Sequence, residues 1–556
     1  MPIRWAYLKR VLAGAIFGMY MAHLLYFLNP QVDIAPLRLM AVTLVYALVC
    51  GLLFGTALWV LRIARVKLIG RPSPEAEYRA HGFGFVVLAA FIASAIYWIH
   101  LRQLSIYLPI GAVRVLSKAT NVITGVAFAL LILWLLERNA DRRGSRIVFI
   151  TGVVLIAISS FSLYERRESY RTEKRNVVVA NVGTVAGKRP LIVVAIRNLP
   201  YDWILTMSGE GILPFIDSTA RRGYFTRIEP FPTTSPDSLW ASLATGKLPY
   251  RHGVTGQFSY RTPLNAADPS DRFLLVPNGV GFKIWGLIPP VKRISSQLPA
   301  GDALPLWTAF QRLSLRSELI NWPSAAPTGA DRVVTDDAIR SDLRGQQRAV
   351  APVAQRFNGA GPAKQRILDG LAADLSAMSI AQGNGGFDLR VVALEGFSEA
   401  QKALHIFTND LPPRSSMKGE ALRAYAEQID RMLASLARAN PDDLIVICSP
   451  SGVVPTALPA TAWSLLSQEI RADDPGADDG FVLIIGPGVA HKVKPTGAEV
   501  IDVVPTVLFA ADLPVGRDMD GRILTEAFDD KFLRETMLSA IQTYEAERLV
   551  VRRTGA

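Results

Sequence analysis

Cysteine is scarce in this chain of 556 residues, where Cys50 and Cys448 lie in separate apolar runs. Two such residues provide no disulfide framework, and no cysteine-based metal site is expected from them. Internal repeats and long low-complexity tracts are also missing from the sequence. The chain is therefore neither a disulfide-stabilised scaffold nor a repeat protein, and its organisation must come from its apolar patterning.

Long apolar runs are what the sequence does have. Half of its residues are hydrophobic and its mean hydropathy is +0.25, too high for a wholly soluble protein. Five runs approach the ~20 residues that cross a ~30 Å hydrocarbon core. They are residues 11–28, 37–61, 83–99, 122–136 and 147–163. We expect a five-helix transmembrane domain at 1–164, a linker at 165–188, an extracytoplasmic globular domain at 189–545 and a tail at 546–556.

The basic residues predict how these spans are oriented. Loops 62–79 and 138–146 are rich in Lys and Arg, whereas the loop after the first span has neither. Under the positive-inside rule the N-terminus is cytoplasmic, and the globular domain lies outside a bacterial-type plasma membrane. The basic run at 165–175 opposes this orientation. Much of the net charge of +12 flanks the spans, which favours a lipid bilayer over nucleic acid as partner. The spans lack the runs of acids or His that mark transport paths.

The globular part alternates strands and helices, which predicts a mainly parallel sheet sandwiched by helices. Its first strand, LIVVAI, is followed by three short motifs. They are Thr234-Ser235-Pro236, Ala244-Thr245-Gly246 and His252-Gly253. In this order they resemble the alkaline phosphatase superfamily, in its type I phosphodiesterase/nucleotide pyrophosphatase branch, and the similarity continues through 304–339 and 498–528. The five-helix anchor is similar in layout to that of lipoteichoic acid synthases and phosphoethanolamine transferases.

The resemblance implies an alkaline phosphatase-like α/β fold with two divalent metal ions, usually zinc, that activate a Ser or Thr hydroxyl. It also implies six positions for Asp and His metal ligands, and none of them carries such a residue here. The six positions are Arg197, Ser398, Lys402, Pro450, Ser451 and Gly476. Metal affinity depends on several deprotonated donors acting together, so we expect no metal cofactor. Asp237, Glu395 and Glu399 remain as weak alternatives for magnesium or calcium.

The nucleophile position of the family is ambiguous in this sequence. Thr234 and Ser235 compete for it, because the spacing from Ser235-Pro236 to the Thr245-Gly246 motif is one residue longer than the resemblance implies. A hydroxyl without a neighbouring base or metal is a poor nucleophile. The alternative is that Ser235 or a neighbouring hydroxyl caps the following helix.

These observations predict a catalytically inactive pseudoenzyme that binds an anionic envelope component or an envelope protein. Arg197 and Lys402, with Asn198, would form the anion pocket together with the vestigial hydroxyls of Thr234 and Ser235. The alternative for the two cations is that both simply reach solvent. The alternative function is a metal-dependent phosphodiesterase or phosphotransferase, with two Zn or Mn ions, acting on envelope lipids, glycans or nucleotides.

Overall fold

The structure is a computed structural model of the chain. It describes residues 3–30, 36–70, 83–139, 142–168, 179–184, 189–231, 236–254, 258–261, 292–295, 303–323, 329–341, 345, 348, 350–383, 385–453, 479–491 and 496–552. The chain divides into two compact units. A helical unit contains Met1–Lys174, Phe258–Ser295 and Leu465–Glu469, and an α/β unit contains Arg175–Gln257, Ser296–Ser464 and Ile470–Ala556.

The helical unit contains five long helices, and each predicted apolar run lies within one of them. The helices are α1 (Ile3–Leu28), α2 (Pro36–Ile69), α3 (Phe83–Leu104), α4 (Ile110–Asn139) and α5 (Arg142–Glu168). Three contain segments long and apolar enough to cross a membrane, namely Arg10–Leu28, Pro36–Leu68 and Ile110–Glu137. The apolar parts of α3 and α5, Val86–Arg102 and Ile150–Glu165, are shorter. The described residues thus contain three candidate spans, and the full number of five stays a prediction.

Helices α1 and α2 pack through small residues. Gly14 and Gly18 are four residues apart on α1, and Gly51 and Gly55 have the same spacing on α2. A Cβ on Gly18 would lie 2.2 Å from the carbonyl oxygen of Tyr46, so the backbones approach more closely than any larger residue permits. This small-xxx-small pattern is typical of helices that associate in lipid, where packing replaces the hydrophobic driving force.

The α/β unit is built from short strands and helices. The strands of the chain, in order, are β1 (Val179–Thr184), β2 (Leu191–Ile196), β3 (Tyr224–Glu229), β4 (Phe258–Arg261), β5 (Lys292–Ser295), β6 (Ser317–Ile320), β7 (Arg332–Val334), β8 (Leu389–Leu394), β9 (Leu444–Ser449), β10 (Gly480–Ile485), β11 (Ala498–Glu499), β12 (Val515–Gly516), β13 (Ala540–Ile541) and β14 (Arg548–Arg552). Strands β4 and β5 form a separate hairpin that belongs to the helical unit, and the other strands belong to the α/β unit. Its α-helices are α6 (Tyr201–Gly209), α7 (Pro214–Ala220), α8 (Pro236–Thr245), α9 (Pro249–His252), α10 (Leu306–Arg312), α11 (Asp336–Arg340), α12 (Lys364–Ala381), α13 (Gly396–Ala403), α14 (Met417–Ala439), α15 (Val503–Ala510) and α16 (Asp530–Glu535). Short 3₁₀ segments lie at Ala354–Ala363, Val500–Asp502 and Thr525–Ala527.

Eight strands form the central sheet in the order β11-β3-β10-β9-β2-β8-β6-β7. Strand β10 runs antiparallel to both of its neighbours, and the other pairings are parallel. Alternate residues of β2 enter different cores: Val193 packs in the cluster of Trp240, and Val194 packs in that of Trp203. Burial on both faces explains the unbroken apolar run LIVVAI, since parallel strands are covered by helices on each side. The predicted alkaline phosphatase-like, mainly parallel fold is confirmed.

Ordered structure also occupies the two segments predicted as linker and tail. Helix α5 continues to Glu168, and β1 lies within the linker. Strand β1 pairs in parallel with β14, which belongs to the predicted tail, and the register aligns Val179 with Arg548. Both segments therefore contribute to a small two-stranded sheet of the α/β unit, while the domain boundaries themselves stay a prediction.

Gly396 gives a test of how helices α12 and α13 pack. A Cβ on Gly396 would lie 1.9 Å from the Tyr425 hydroxyl and 2.4 Å from the Gly370 carbonyl oxygen. We expect Gly396→Ala to lower the free energy of unfolding by about 1–3 kcal/mol, because the backbone of α12 cannot give way. Thermal unfolding of the full-length protein in detergent, followed by tryptophan fluorescence, measures this.

The matched control is Gly209→Ala, since nothing lies within 4 Å of a Cβ at that helical position. Its effect should be neutral or stabilising by up to about 1 kcal/mol. Equal unfolding temperatures for the two variants would contradict the close packing at Gly396.

Candidate functional site

The carboxyl ends of β2, β8 and β9 lie side by side, because these three strands are parallel neighbours. Arg197 follows β2, Glu395 follows β8, and Ser449 ends β9. The backbone N–H of Arg197 still donates to the Leu394 carbonyl at 2.9 Å. Ligand sites in sheets of this kind form outside the carboxyl ends of the strands. The edge is therefore the place where the resemblance implies a metal centre.

An ion pair occupies this edge. Arg197 Nη1 donates to Glu395 Oε2 at 2.8 Å, and the two side chains are only 15% and 20% exposed. The guanidinium also lies 5.8 Å from the centroid of the Trp240 ring. Burial raises the pKa of Glu395 above its ordinary value, and the nearby Arg197 charge partly offsets this. The second carboxylate oxygen, Oε1, is buried and has no hydrogen-bond partner among the described residues.

Asn198 holds the turn that follows Arg197. Its φ of 59° is left-handed, a conformation that Asn adopts more readily than most residues other than Gly. Its Nδ2 donates to Ser398 Oγ at 3.2 Å, and its carbonyl accepts from Gln401 Nε2 at 2.9 Å. Ser398 is fully buried, so this position, where the resemblance implies a metal ligand, supports the backbone turn.

Lys402 lies one turn after Ser398 on α13 and faces outward. Its Nζ is 2.7 Å from Glu399 Oε1, and its side chain is 53% exposed. Arg197, by contrast, is largely buried. The two cations that the sequence suggested as an anion pocket therefore differ in exposure, and each of them is already paired with a carboxylate.

At the end of β9, the Ser449 hydroxyl hydrogen-bonds to two backbone groups. Ser449 Oγ accepts from the N–H of Leu199 at 3.2 Å and donates to the Ser451 carbonyl at 2.8 Å. Pro450 and Ser451 are both buried. The remaining predicted positions, Thr234, Ser235 and Gly476, lie outside the described residues, so their roles stay predictions.

The described residues at this edge do not fit a pair of divalent metal ions. Arg197 places a permanent cation where the resemblance implies a carboxylate, and Pro450 offers no side-chain donor. Glu395 and Glu399 are each engaged by a cation. Within the described ranges, no three His, Cys, Asp or Glu side chains gather to hold a metal. The Glu395 Oε1 atom is a lone acceptor beside a guanidinium, which disfavours a second positive charge.

Sequence analysis missed a buried hydrogen bond between Ser242 and His252, whose Oγ and Nε2 are 2.9 Å apart. The Val254 N–H donates to His252 Nδ1 at 3.1 Å, so Nε2 carries the ring proton and donates to Ser242. His252 cannot accept a proton from Ser242 in this tautomer, and the pair braces the His-Gly turn. His405 and His491 are exposed.

The role of Glu395 as the partner of Arg197 was also missed. The opposite charges of two residues that each follow a strand could have suggested the pair. The local sequence does not show, however, that β2 and β8 are neighbours in the sheet. Gln401 escaped notice for the same reason, although it is almost fully buried and donates to Asn198.

A buried carboxyl group supports the site from behind. Asp374 on α12 accepts the Gly396 N–H at 3.2 Å and the Tyr425 hydroxyl at 2.9 Å. Burial raises the pKa of Asp374 to about 7, against the lowering effect of these two hydrogen bonds. Asp374 thereby fixes the start of α13, the helix that carries Ser398 and Lys402.

The family model described as type I phosphodiesterase / nucleotide pyrophosphatase matches residues 191–531. A comparison with curated proteins gives no match.

Solved structures show distant similarity. Phosphonoacetate hydrolase from Sinorhizobium meliloti 1021 is 14% identical with a TM-score of 0.32, over 48% of this chain and 57% of its own. Human ectonucleotide pyrophosphatase/phosphodiesterase 5 is 11% identical with a TM-score of 0.36, over 63% and 99%. An alkaline phosphatase superfamily protein from Vibrio parahaemolyticus is 11% identical with a TM-score of 0.33, over 64% and 74%. The chain thus spans little more than half of the hydrolase.

Asp374 predicts a pH dependence of stability. Its folded pKa of about 7 exceeds the ordinary value of about 3.9, so its contribution to stability is present below pH 4 and is lost as pH rises through 7. Between pH 4 and 7, the free energy of unfolding of wild type should fall, relative to that of Asp374→Asn, by up to about 1.4 kcal/mol for each unit that the pH rises. Thermal unfolding of both proteins across this pH range measures the difference.

The control is Asp369→Asn on the exposed side of the same helix, which should follow wild type at every pH. Parallel curves for wild type and Asp374→Asn would show that Asp374 does not titrate as described.

Proposed function

This chain belongs to the type I phosphodiesterase / nucleotide pyrophosphatase family, and from that membership we propose that it is a membrane-anchored member that has lost two-metal hydrolysis and acts by binding. The observation that carries the proposal is the Arg197–Glu395 ion pair at the end of β2. It stands where the resemblance implies a metal-binding carboxylate.

The chemistry of hydrolysis explains why this exchange matters. In a two-metal site, metal ions activate the attacking oxygen and neutralise charge on the phosphoryl group. A guanidinium can neutralise charge and hydrogen-bond to phosphoryl oxygens, but it cannot lower the pKa of a bound hydroxyl as a metal does. Arg197 therefore suits recognition of an anion better than turnover of a phosphodiester.

The proposed ligand is an anionic envelope component, bound at Arg197 and Asn198 with Lys402 at the rim. Arg has five N–H donors, and the Glu395 pairing at 2.8 Å engages one of the Nη atoms. An incoming anion must compete with Glu395 for the same charge. Glu395 thus sets the affinity and selectivity of the pocket. An acidic side chain of a protein partner would bind Arg197 through the same charge and the same kind of hydrogen bond.

Anchoring follows from the three helices that are long and apolar enough to span a membrane. With the N-terminus in the cytoplasm, as the loop charges favour, the α/β unit lies on the periplasmic or extracellular side. Envelope lipids, glycans and proteins are the ligands within reach there.

The second candidate function is a metal-dependent phosphodiesterase or phosphotransferase with a remodelled site. Its support is the family membership together with the retained Thr234-Ser235-Pro236 segment. The two functions differ in whether the protein contains metal ions and in whether the Thr234 or Ser235 hydroxyl takes part in a reaction.

We expect the purified full-length protein to contain no stoichiometric zinc or manganese, measured by elemental mass spectrometry, because the donor set is incompatible with a metal pair. A chromogenic phosphodiester should not be hydrolysed with added zinc, manganese or magnesium. About two ions per chain, with turnover abolished by Thr234→Ala or Ser235→Ala, would establish the enzyme instead.

The anion pocket gives a separate prediction. Glu395→Gln removes the competing charge from a largely buried guanidinium, so the affinity for inorganic phosphate should rise about ten-fold. Arg197→Ala combined with Lys402→Ala should abolish binding. Isothermal titration calorimetry of the full-length protein in detergent measures both effects.

Glu399→Gln is the matched control, because Glu399 pairs with the exposed Lys402, where an ion pair contributes little. Its affinity for phosphate should stay close to that of wild type. Equal affinities for wild type, Glu395→Gln and the Arg197/Lys402 double variant would remove the anion pocket from the proposal.

A further inference from the structure

The Arg197 guanidinium has N–H donors that its pairing with Glu395 does not use. Nη1 donates to Glu395 Oε2 at 2.8 Å, and among the described residues this is the only hydrogen bond that the Arg197 side chain makes. An arginine side chain has five N–H donors in a planar fork. Since the side chain is 15% exposed, an anion can bind another edge of the fork while Glu395 stays in place. An anion bound there shares one positive charge with the Glu395 carboxylate.

The described charges around Glu395 offer little further compensation to a fully ionised ligand. The charges of Arg197, Lys402 and Glu399 act on Glu395. Lys402 is itself paired with Glu399 at 2.7 Å, and a further carboxyl group, Asp374, is buried nearby. Each of the two cations thus already has a carboxylate partner. A second anion on Arg197 is therefore repelled by the Glu395 carboxylate unless a proton lies between them.

The carboxylate of Glu395 has an acceptor that such a proton would meet. Its Oε1 atom is buried and has no hydrogen-bond partner among the described residues. A buried acceptor that is left unpaired costs free energy, which a donor on the ligand would recover. The last torsion of a Glu side chain is soft and two-fold, so either carboxylate oxygen can face the ligand. An O–H group on the anion would then replace repulsion by a charge-assisted hydrogen bond.

We propose that Glu395 is the specificity-determining residue of the anion pocket and that it selects oxyanions that carry a proton. The inference rests on the proposed anion-binding function and names the ligand class of the same site. Hydrogen phosphate and singly ionised phosphate monoesters have an O–H group beside their anionic oxygens. Sulfate and phosphate diesters have none at neutral pH. The pocket therefore binds the first class and rejects the second.

Isothermal titration calorimetry of the full-length protein in detergent tests the selectivity with four probes. They are inorganic phosphate, sulfate, glycerol 3-phosphate and dimethyl phosphate, at about pH 8, where carboxyl groups in ion pairs are ionised. We expect inorganic phosphate to bind about 100-fold more tightly than sulfate or dimethyl phosphate, because these two leave the charged acceptor unpaired. Equal affinities for phosphate and sulfate would overturn the proposal.

Glu395→Gln tests the role of the carboxylate, because the amide that replaces it also has an N–H donor. The affinity for sulfate should rise more than that for phosphate, so that the ratio of the two falls from about 100 to within about three-fold of one. Glu399→Gln is the matched control and should keep the wild-type ratio, since Glu399 pairs with Lys402 at the exposed rim. An unchanged ratio in Glu395→Gln would contradict the assignment.

The wild-type protein gives a readout that depends on no variant. A phosphate monoester loses its last proton with a pKa of about 6, whereas inorganic phosphate keeps an O–H group well above that pH. The affinity for glycerol 3-phosphate should therefore fall roughly ten-fold per pH unit between about pH 6 and 8, relative to that for inorganic phosphate. Affinities that change in parallel would overturn the proposal. The probe that binds more tightly at about pH 6 identifies whether an esterified or a free phosphate is the better ligand.

The four probes also separate the two levels of inference. Failure of all four to bind would overturn the anion pocket itself and, with it, the selectivity. Binding of all four with equal affinity would support the pocket and overturn the selectivity alone.

Discussion

Strand β2 is paired on one edge with β8 and on the other with β9, and both of its faces are buried. This placement determines where every element of the candidate site lies. An apolar run with no polar face can be satisfied only between two layers of helices. Once β2 is fixed there, Arg197 has to emerge at the carboxyl edge of the sheet, between the ends of its neighbours.

A charge at that edge cannot remain alone, because a partly buried guanidinium without a partner costs several kcal/mol of desolvation. Glu395, at the end of β8, meets this requirement. The strand ends are linked by this ion pair, by the hydrogen bond of Asn198 to the buried Ser398, and by the hydrogen bond from Ser449 to the Ser451 carbonyl. In the proposed function, the affinity of the pocket for anions depends on the strength of this one ion pair.

The backbone that surrounds the candidate site is closely packed. Gly396 faces Gly370 and the Tyr425 hydroxyl at distances that exclude a side chain, and Asp374 ties this junction together. Asn198 retains the left-handed turn after β2. The backbone geometry at the strand ends is thus held by contacts that do not depend on the side chains at the positions where the resemblance implies metal ligands, and a fold does not by itself fix an activity.

The sequence by itself determined the apolar helices, the buried strands and the family, because hydrophobic runs and motif order are local properties of the chain. It also marked Arg197, Ser398 and Lys402 as departures from the family's metal ligands. Only the tertiary structure decided that Glu395 pairs with Arg197, that Lys402 faces solvent, and that β1 in the predicted linker pairs with β14 in the predicted tail. These contacts join residues far apart in sequence, and the crossover order of the sheet, which no local pattern encodes, brings them together.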